Sequence, residues 1–114
     1  MITIYKYPIT KEEGVVKIPS SAKLLKIDYD GDRQICAWAL VDSEDTDMVE
    51  HKFHIFGTGW DLGDYLNKDY DLAHLATLRD MLGYIWHVFE EIPKVEMPQR
   101  PLILTPDQMM QLPL

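Results

Sequence analysis

Apolar and polar residues alternate along much of the first half of the chain, which is the pattern of β-strands that bury one face. Alternating runs of this kind occupy residues 2–7, 15–18, 24–29 and 49–55. Residues 34–42 are apolar on both faces instead, which predicts a strand at the centre of a sheet. We expect Cys36 to be a small buried residue of this strand and Trp38 to be an anchor of the core.

Two segments that contain glycine predict how these strands end. Asp30 and Gly31 stand between two strand-like runs, and Asp-Gly is a strong hairpin signal because both residues tolerate positive φ. The segment 57–60, Gly-Thr-Gly-Trp, follows the last of the alternating runs. We expect a turn or bulge at the end of a strand there, with glycines in the left-handed region.

The segment 72–91, LAHLATLRDMLGYIWHVFEE, is compatible with two structures. Several of its residues fall at helical spacing, whereas Tyr84, Trp86 and Val88 alternate as in a strand. Gly83 costs about 1 kcal/mol inside a helix relative to Ala, but it is natural after a turn. The pattern leaves open both a helix at about residues 73–90 and a β-hairpin.

From residue 92 onward, five prolines fall within 23 residues, which predicts an extended tail rather than another core element. Thr105 and Pro106 are typical of a helix start. We therefore expect one β domain over residues 1–91 and a proline-rich extension over 92–114 that can form a short helix. The apolar groups near its end either fold back onto the domain or dock on a partner; they are Met109, Met110 and Leu112.

A chain of 114 residues fits one domain, and contents of 46% hydrophobic and 26% charged residues are ordinary for a globular protein. Its apolar runs are all shorter than the roughly 20 residues of a membrane helix, and its N-terminus does not resemble a signal peptide. The single cysteine, Cys36, cannot form an intramolecular disulfide. We expect a cytoplasmic protein that does not bind membranes.

The net charge of −8 is distributed unevenly along the chain. Residues 1–27 hold five lysines against two acids, whereas residues 28–50 hold eight acids against Arg33 alone. An acidic surface repels nucleic acid and attracts a basic partner, although acidic loops can also serve solubility alone. We expect a protein partner with a basic surface and no direct binding of nucleic acid. The acids expected to form the binding face are Asp42, Glu44, Asp45, Asp47 and Glu50.

The sequence contains no complete motif for catalysis or for cofactor binding. The glycine segment lacks the lysine of a P-loop and carries aspartates that would repel phosphate, and the serines lack the context of a nucleophile elbow. His51 and His54 are three residues apart on a strand and so face opposite sides, while His74 and His87 can meet across a hairpin. We therefore expect a non-enzymatic protein without a metal or a cofactor.

The segments IYKYPI, IPSSAKLLKI, WALVD, FHIFGTG and WHVFE occur in this order across residues 2–90. Together they resemble a family of small uncharacterised bacteriophage proteins, a domain of unknown function. Ala76-Thr77 departs from the usual Gly-Thr of the family, and Trp60 stands where a histidine is common, so roles at these positions are left open. The resemblance implies that residues 72–91 form a hairpin and that the protein comes from a phage. It implies no activity.

The resulting prediction is an all-β fold of six or seven mostly antiparallel strands in a small barrel or sandwich, with a proline-rich C-terminal tail. The alternative is an α+β fold with a helix at about residues 73–90.

Three functions remain as hypotheses. The first is a phage-encoded, non-enzymatic protein that binds a host protein in the host cytoplasm through its acidic face and inhibits a defence or metabolic machine. The second is a binder of a small ligand or nucleotide at the glycine turn, with Trp60 as part of the site. The third is a virion or assembly component, a homo-oligomer that buries Met109, Met110 and Leu112.

Overall fold

The computed structural model describes residues 1–10, 14–31, 33–66 and 69–94. Over these residues the chain forms seven β-strands and one short 3-10 helix at Gly63–Tyr65, and no α-helix. The all-β prediction is confirmed, and the α+β alternative is wrong for this part of the chain. The strands are β1 (Ile2–Pro8), β2 (Val15–Pro19), β3 (Lys23–Tyr29), β4 (Ile35–Asp42), β5 (Met48–Gly57), β6 (Tyr70–Arg79) and β7 (Ile85–Pro93).

The strands form two antiparallel sheets that pack face to face as a sandwich. One sheet has the order β1-β4-β3 and the other β2-β5-β7-β6. The two sheets do not close into a barrel. As predicted from its two apolar faces, β4 lies at the centre of its sheet.

The Asp-Gly signal correctly predicts the hairpin of β3 and β4. Tyr29 pairs with Ile35, and the Asp30 N–H donates to the Gln34 carbonyl over 3.0 Å. The connection is therefore longer than a two-residue turn. It includes Arg33, whose φ of 67° lies in the left-handed region.

The segment 72–91 is a hairpin, as the resemblance implies. β6 pairs with β7 in antiparallel register along its length. The turn is closed by the Asp80 N–H, which donates to the Tyr84 carbonyl over 2.9 Å. β7 extends to Pro93, so the strand runs past the domain boundary that the sequence predicts at residue 91.

The core lies between the inner faces of the two sheets. Ala37 of β4 and Val88 of β7 are both 0% exposed and belong to one apolar cluster. Fully burying an aliphatic or phenylalanine side chain contributes about 1.5–3 kcal/mol, so this cluster is the main source of stability. Its buried members are Ile9, Ile27, Ile35, Ala37, Phe53 and Val88.

The second apolar face of β4 follows the prediction at one position and departs from it at another. Cys36 is fully buried, as expected. Trp38 is only half-buried and lies outside the core cluster, in register with Lys6 of β1 and Lys26 of β3. The prediction of Trp38 as a core anchor is therefore wrong. Because neighbouring residues of a strand face opposite sides, burying Ala37 against the other sheet turns Trp38 outward.

The strand register places the connections at two opposite ends of the sandwich. The turn 20–22 and the loop 43–47 lie at one end, which we call the acidic end. The connections 30–34, 57–60 and 80–84 lie at the other, which we call the cleft end. The predicted acidic face and the glycine turn are thus separated by the length of the strands.

The end of the C-terminal extension, from residue 95, lies outside the described residues. Met109, Met110 and Leu112 and the short helix expected near Thr105 therefore stay predictions. Within the described ranges, no helix has the length and apolar character needed to cross a lipid bilayer.

Replacing Gly14 tests the contact between the start of β2 and β5. Its carbonyl accepts a 2.8 Å hydrogen bond from the Phe53 N–H, and an added Cβ would lie 1.9 Å from the Phe53 carbonyl oxygen. Because backbone must move to relieve that clash, we expect Gly14→Ala to lower the free energy of unfolding by about 1–3 kcal/mol in denaturant titrations.

Gly63→Ala is the matched control, since its added Cβ would meet only the flexible end of Asp61 at 3.2 Å. We expect its effect to stay within about 0.5 kcal/mol. Equal losses in the two variants would contradict the close approach at Gly14.

Candidate binding cleft

A cavity of about 400 Å³ opens between the two sheets at the cleft end. Ile35 of β4 and Ile55 of β5 line it from facing sheets, so part of its wall is apolar. A second cavity of about 210 Å³ adjoins it and shares four lining residues with it, Tyr29, Arg33, Asp80 and Met81. We call the two cavities together the cleft.

The Asp80 carboxylate organises one wall of the cleft. Its Oδ1 accepts hydrogen bonds from the backbone N–H groups of Leu82 and Tyr84, each over 2.9 Å. Its Oδ2 accepts a bond from the Trp86 indole Nε1–H over 2.9 Å. One side chain thus fixes both the β6–β7 turn and the indole that lines the cleft. An Asp at the start of a turn is the sequence signal for such a role.

Hydrogen bonds, burial and neighbouring charges shift the pKa values of two side chains that line the cleft. The bond from the Trp86 indole, helped by the backbone N–H groups of the turn, holds the pKa of Asp80 below its usual value. Burial raises the pKa of the Tyr29 phenol, and the negative charges of Asp80 and Asp28 add to this rise. At neutral pH the cleft therefore presents a carboxylate whose oxygens are engaged and a protonated phenol.

Two arginines bring positive charge to the cleft. Arg33 lines both cavities and Arg79 lines the smaller one, and both are exposed at its mouth. Neither forms an ion pair with another residue in the described part of the chain. The left-handed conformation of Arg33 costs about 1 kcal/mol, a kind of strain that is enriched at ligand clamps and active sites. Sequence reasoning missed both arginines, because no motif connects a β3–β4 loop with the end of β6.

The Gln34 side chain joins the end of β1 to the start of β4 at the base of the cleft. Its Nε2 amide donates to the Ile9 carbonyl over 2.8 Å and to the Ile35 carbonyl over 3.0 Å. The Ile9 N–H in turn donates to the Ile35 carbonyl over 2.8 Å. Because these bonds fix the backbone on both sides, Gln34 holds this wall of the cleft in place.

The segment 57–60 is a turn that ends β5, as predicted. The Trp60 N–H donates to the Gly57 carbonyl over 3.2 Å, and Gly59 has φ of 87°, which suits the third position of a type II turn. The Trp60 indole lies against Gly57, where an added Cβ would come within 2.7 Å of Nε1. Its ring packs edge-on against Trp86, with 5.7 Å between centroids. Trp60 is therefore linked to the cleft through Trp86 and is not one of its lining residues.

The tip of the β6–β7 turn exposes apolar side chains beside the cleft. Met81, Leu82 and Tyr84 are 75%, 78% and 63% exposed. Met81 and Leu82 also line the cleft, so its rim and this tip are continuous. We call these three residues the hairpin tip.

Asp45 of the predicted acidic face has a structural role. Its Oδ2 accepts hydrogen bonds from the Ser21 hydroxyl at 2.6 Å, the Ser21 N–H at 3.2 Å and the Ser20 hydroxyl at 3.4 Å. These bonds, that of the Ser21 hydroxyl above all, lower the pKa of Asp45. Asp45 therefore connects the turn 20–22 to the loop 43–47. No pattern in the sequence predicts this contact.

The other acids of the face divide between internal contacts and solvent. Asp42 accepts a bond from the Glu44 N–H over 3.0 Å and lies 3.5 Å from the N-terminal ammonium group. Glu44 lies 3.8 Å from the same ammonium group but is strongly exposed. Asp47 and Glu50 are also exposed. The acids that a partner can reach most freely are thus Glu44, Asp47 and Glu50.

His51 and His54 face opposite sides of β5, as predicted. His51 lies on the same face as Phe53, where its Nδ1 pairs with Glu90. His54 Nε2 lies 2.8 Å from Glu91 Oε1 on the other face. The two imidazoles cannot bind one ligand together.

His74 and His87 meet across the β6–β7 hairpin. Both contact the Thr77 hydroxyl, His74 through Nε2 at 2.8 Å and His87 through Nδ1 at 3.1 Å. Within the part of the chain that the structure describes, no group of three or more His, Cys, Asp or Glu side chains could hold a metal ion.

Comparison with known proteins places this sandwich in a family. A family model described as a domain of unknown function, DUF7352, matches residues 1–99. The chain is a member of the DUF7352 family. No match was found among curated proteins or among solved structures. The cleft and the acidic end of this DUF7352 protein both lie within the matched residues, whereas Met109, Met110 and Leu112 lie beyond them.

The role of Asp80 can be tested by its pH dependence. Because its pKa is lowered in the folded protein, it adds stability above the ordinary value of 3.8, and this is lost as the pH falls through the lower folded value. We expect Asp80→Asn to lower the melting temperature at neutral pH. Below about pH 3.8, its melting temperature should fall less with decreasing pH than that of the wild type.

Thermal melts at a series of pH values measure both effects, and the Trp86 indole N–H signal reports the local change. Asp71→Asn, an exposed acid on β6, is the control and should follow the wild-type curve. An unchanged acid slope in Asp80→Asn would contradict the role of this carboxylate.

Proposed function

We propose that this DUF7352 protein is a non-enzymatic interaction protein of a bacteriophage that binds a host protein in the host cytoplasm. The observation that carries the proposal is the hairpin tip, in which Met81 and Leu82 are both at least 75% exposed. Neighbouring exposed apolar side chains of this size form a patch that a protein partner can cover. The phage origin and the host partner rest on the resemblance of the sequence segments.

The hairpin tip is fixed before any partner binds. Asp80 accepts hydrogen bonds from the N–H groups of Leu82 and Tyr84, and its own N–H closes the turn. A surface that is already ordered loses less conformational entropy on association, which favours binding. A fixed apolar tip therefore supports recognition of a partner better than a mobile loop of the same composition would.

The acidic end offers a second surface for the same partner or a different one. Glu44, Asp47 and Glu50 are exposed there, and clustered carboxylates speed the approach of a basic surface over long distances. Asp42 and Asp45 contribute less, since they bond within the protein. A host protein covered at either surface would be blocked from its own contacts, which is how a protein without catalysis can inhibit a defence or metabolic machine.

The hairpin tip can be tested by capture of the partner. The tagged wild-type protein and the double variant Leu82→Ser, Tyr84→Ser are expressed in the host and purified with their bound proteins. We expect the wild type to capture one stoichiometric host protein. The variant should capture less of it, by about tenfold or more, since buried anchors each contribute about 2 kcal/mol.

Leu66→Ser is the matched control, because Leu66 is 53% exposed on a loop outside the cleft. It should retain the captured protein. Equal loss in the control and the variant, or capture of nothing but a second copy of this chain, would count against host binding through the tip.

The acidic end is tested separately with Glu44→Ser, Asp47→Ser and Glu50→Ser combined. Asp45 is left intact, because its bonds to Ser20 and Ser21 hold the loop and their loss would confuse binding with folding. If the acids steer a basic partner, we expect the association rate to fall by about tenfold at low salt and less at high salt. A rate that does not change would remove the acidic end from the interface.

A further inference from the structure

We propose that the cleft is a binding site for a small aromatic molecule that carries one anionic group, a carboxylate or a phosphate, held by Arg33 and Arg79. This site does not depend on the proposed docking of a host protein, since the two arginines and not the apolar side chains of the hairpin tip would hold the ligand. It also differs from a site at the glycine turn, because the residues that would hold the ligand come from the β3–β4 connection and the β6–β7 hairpin.

The size of the cleft suits such a molecule. Its main cavity of about 400 Å³ falls in the range of pockets that enclose small organic ligands, about 300–1,000 Å³. Ile35 and Ile55 line it from facing sheets, and the Trp86 indole forms part of another wall. The indole Nε1–H donates to Asp80, which holds the aromatic ring in place in this wall.

The charges of the cleft favour an anion, although the whole chain carries −8. Among the described residues, the charged groups that line the cleft are two guanidinium groups and the Asp80 carboxylate, while Asp28 lies outside the lining but also acts on Tyr29. The Asp80 oxygens already accept bonds from two backbone N–H groups and one indole N–H, so this carboxylate competes weakly for the arginines. Neither arginine forms an ion pair with a residue that the structure describes.

Both cationic residues of the cleft are arginines, which also favours specific binding of an anion. Guanidinium groups hold carboxylate and phosphate through paired hydrogen bonds, which a lysine cannot do. The chain has three arginines, Arg33, Arg79 and Arg100, and the two within the described residues both line the cleft. Arg33 is moreover held with φ of 67°, in strained backbone of the kind that is enriched at ligand clamps.

The experiment is an NMR titration that follows the tryptophan indole N–H signals, with the Trp86 signal assigned from Trp86→Phe. The probes are adenosine 5′-monophosphate and naphthalene-2-carboxylate, and their neutral counterparts are adenosine and naphthalene-2-methanol. Inorganic phosphate serves as an anion without a ring. We expect at least one charged probe to shift the Trp86 signal saturably in the millimolar range or below, and the neutral compounds and phosphate to bind about tenfold more weakly.

Two variants test the arginines. Arg33→Asn removes the guanidinium and keeps a residue that tolerates the left-handed conformation, and Arg79→Gln removes the second guanidinium from a strand. Each variant should weaken binding of the charged probe by about tenfold, equivalent to about 1.4 kcal/mol. The other indole signals should stay in place.

Lys23→Gln is the matched control, because it removes the same charge from an exposed position on β3 near the acidic end. It should bind the probe as the wild type does. The proposal is overturned if neither charged probe shifts the Trp86 signal, if the neutral compounds bind as tightly, or if Lys23→Gln weakens binding as much as Arg33→Asn. These results stand apart from partner capture, which is measured with different variants.

Discussion

The contact between the two sheets is one apolar layer, and the position of the cleft depends on where that layer ends. Ala37 of β4 and Val88 of β7, both 0% exposed, belong to this layer. Toward the cleft end the layer finishes at Ile9, Ile35 and Ile55, and beyond them a cavity remains between the sheets. Because core packing is dense and sheets pack at a nearly fixed distance, side chains there cannot simply collapse to fill it. The cleft is thus a property of the sandwich as well as of its loops.

Hydrogen bonds to one carboxylate, that of Asp80, hold the wall of the cleft beyond the apolar layer. The Asp80 carboxylate gathers two backbone N–H groups and the Trp86 indole, so the turn and one wall of the cleft share a single support. Trp60 packs edge-on against Trp86 and thereby couples the turn after β5 to the same wall. The hydrogen bonds to Asp80 fix the backbone of this turn, and the turn in turn sets the positions of the exposed side chains of the hairpin tip.

Local patterns in the sequence predicted the strands and the first hairpin, since alternation and Asp-Gly act over a few residues. The pattern of segment 72–91 is ambiguous, because Gly83 and the aromatic residues favour a strand while the leucine spacing favours a helix. The family resemblance correctly predicts a hairpin there. Trp38 was misplaced because alternation shows which residues share a face but not which face meets the other sheet. The cleft cannot be predicted from the sequence, since Arg33 and Arg79 are far apart along the chain and line one cavity only in the folded sandwich. The contact of Asp45 with Ser20 and Ser21 joins distant segments in the same way.

Net charge describes the whole molecule and not one site, because screening limits how far each charge acts. A charge of −8 describes the long-range field of the whole molecule. β5 alone has 10 residues, which at about 3.3 Å per residue separates the two ends of the sandwich by about 30 Å. That distance is about four Debye lengths at physiological salt. The carboxylates of the acidic end therefore have less effect on a ligand at the cleft than the closer charges of Arg33, Arg79, Asp80 and Asp28. The net charge of the chain therefore does not predict the charge at either end of the sandwich.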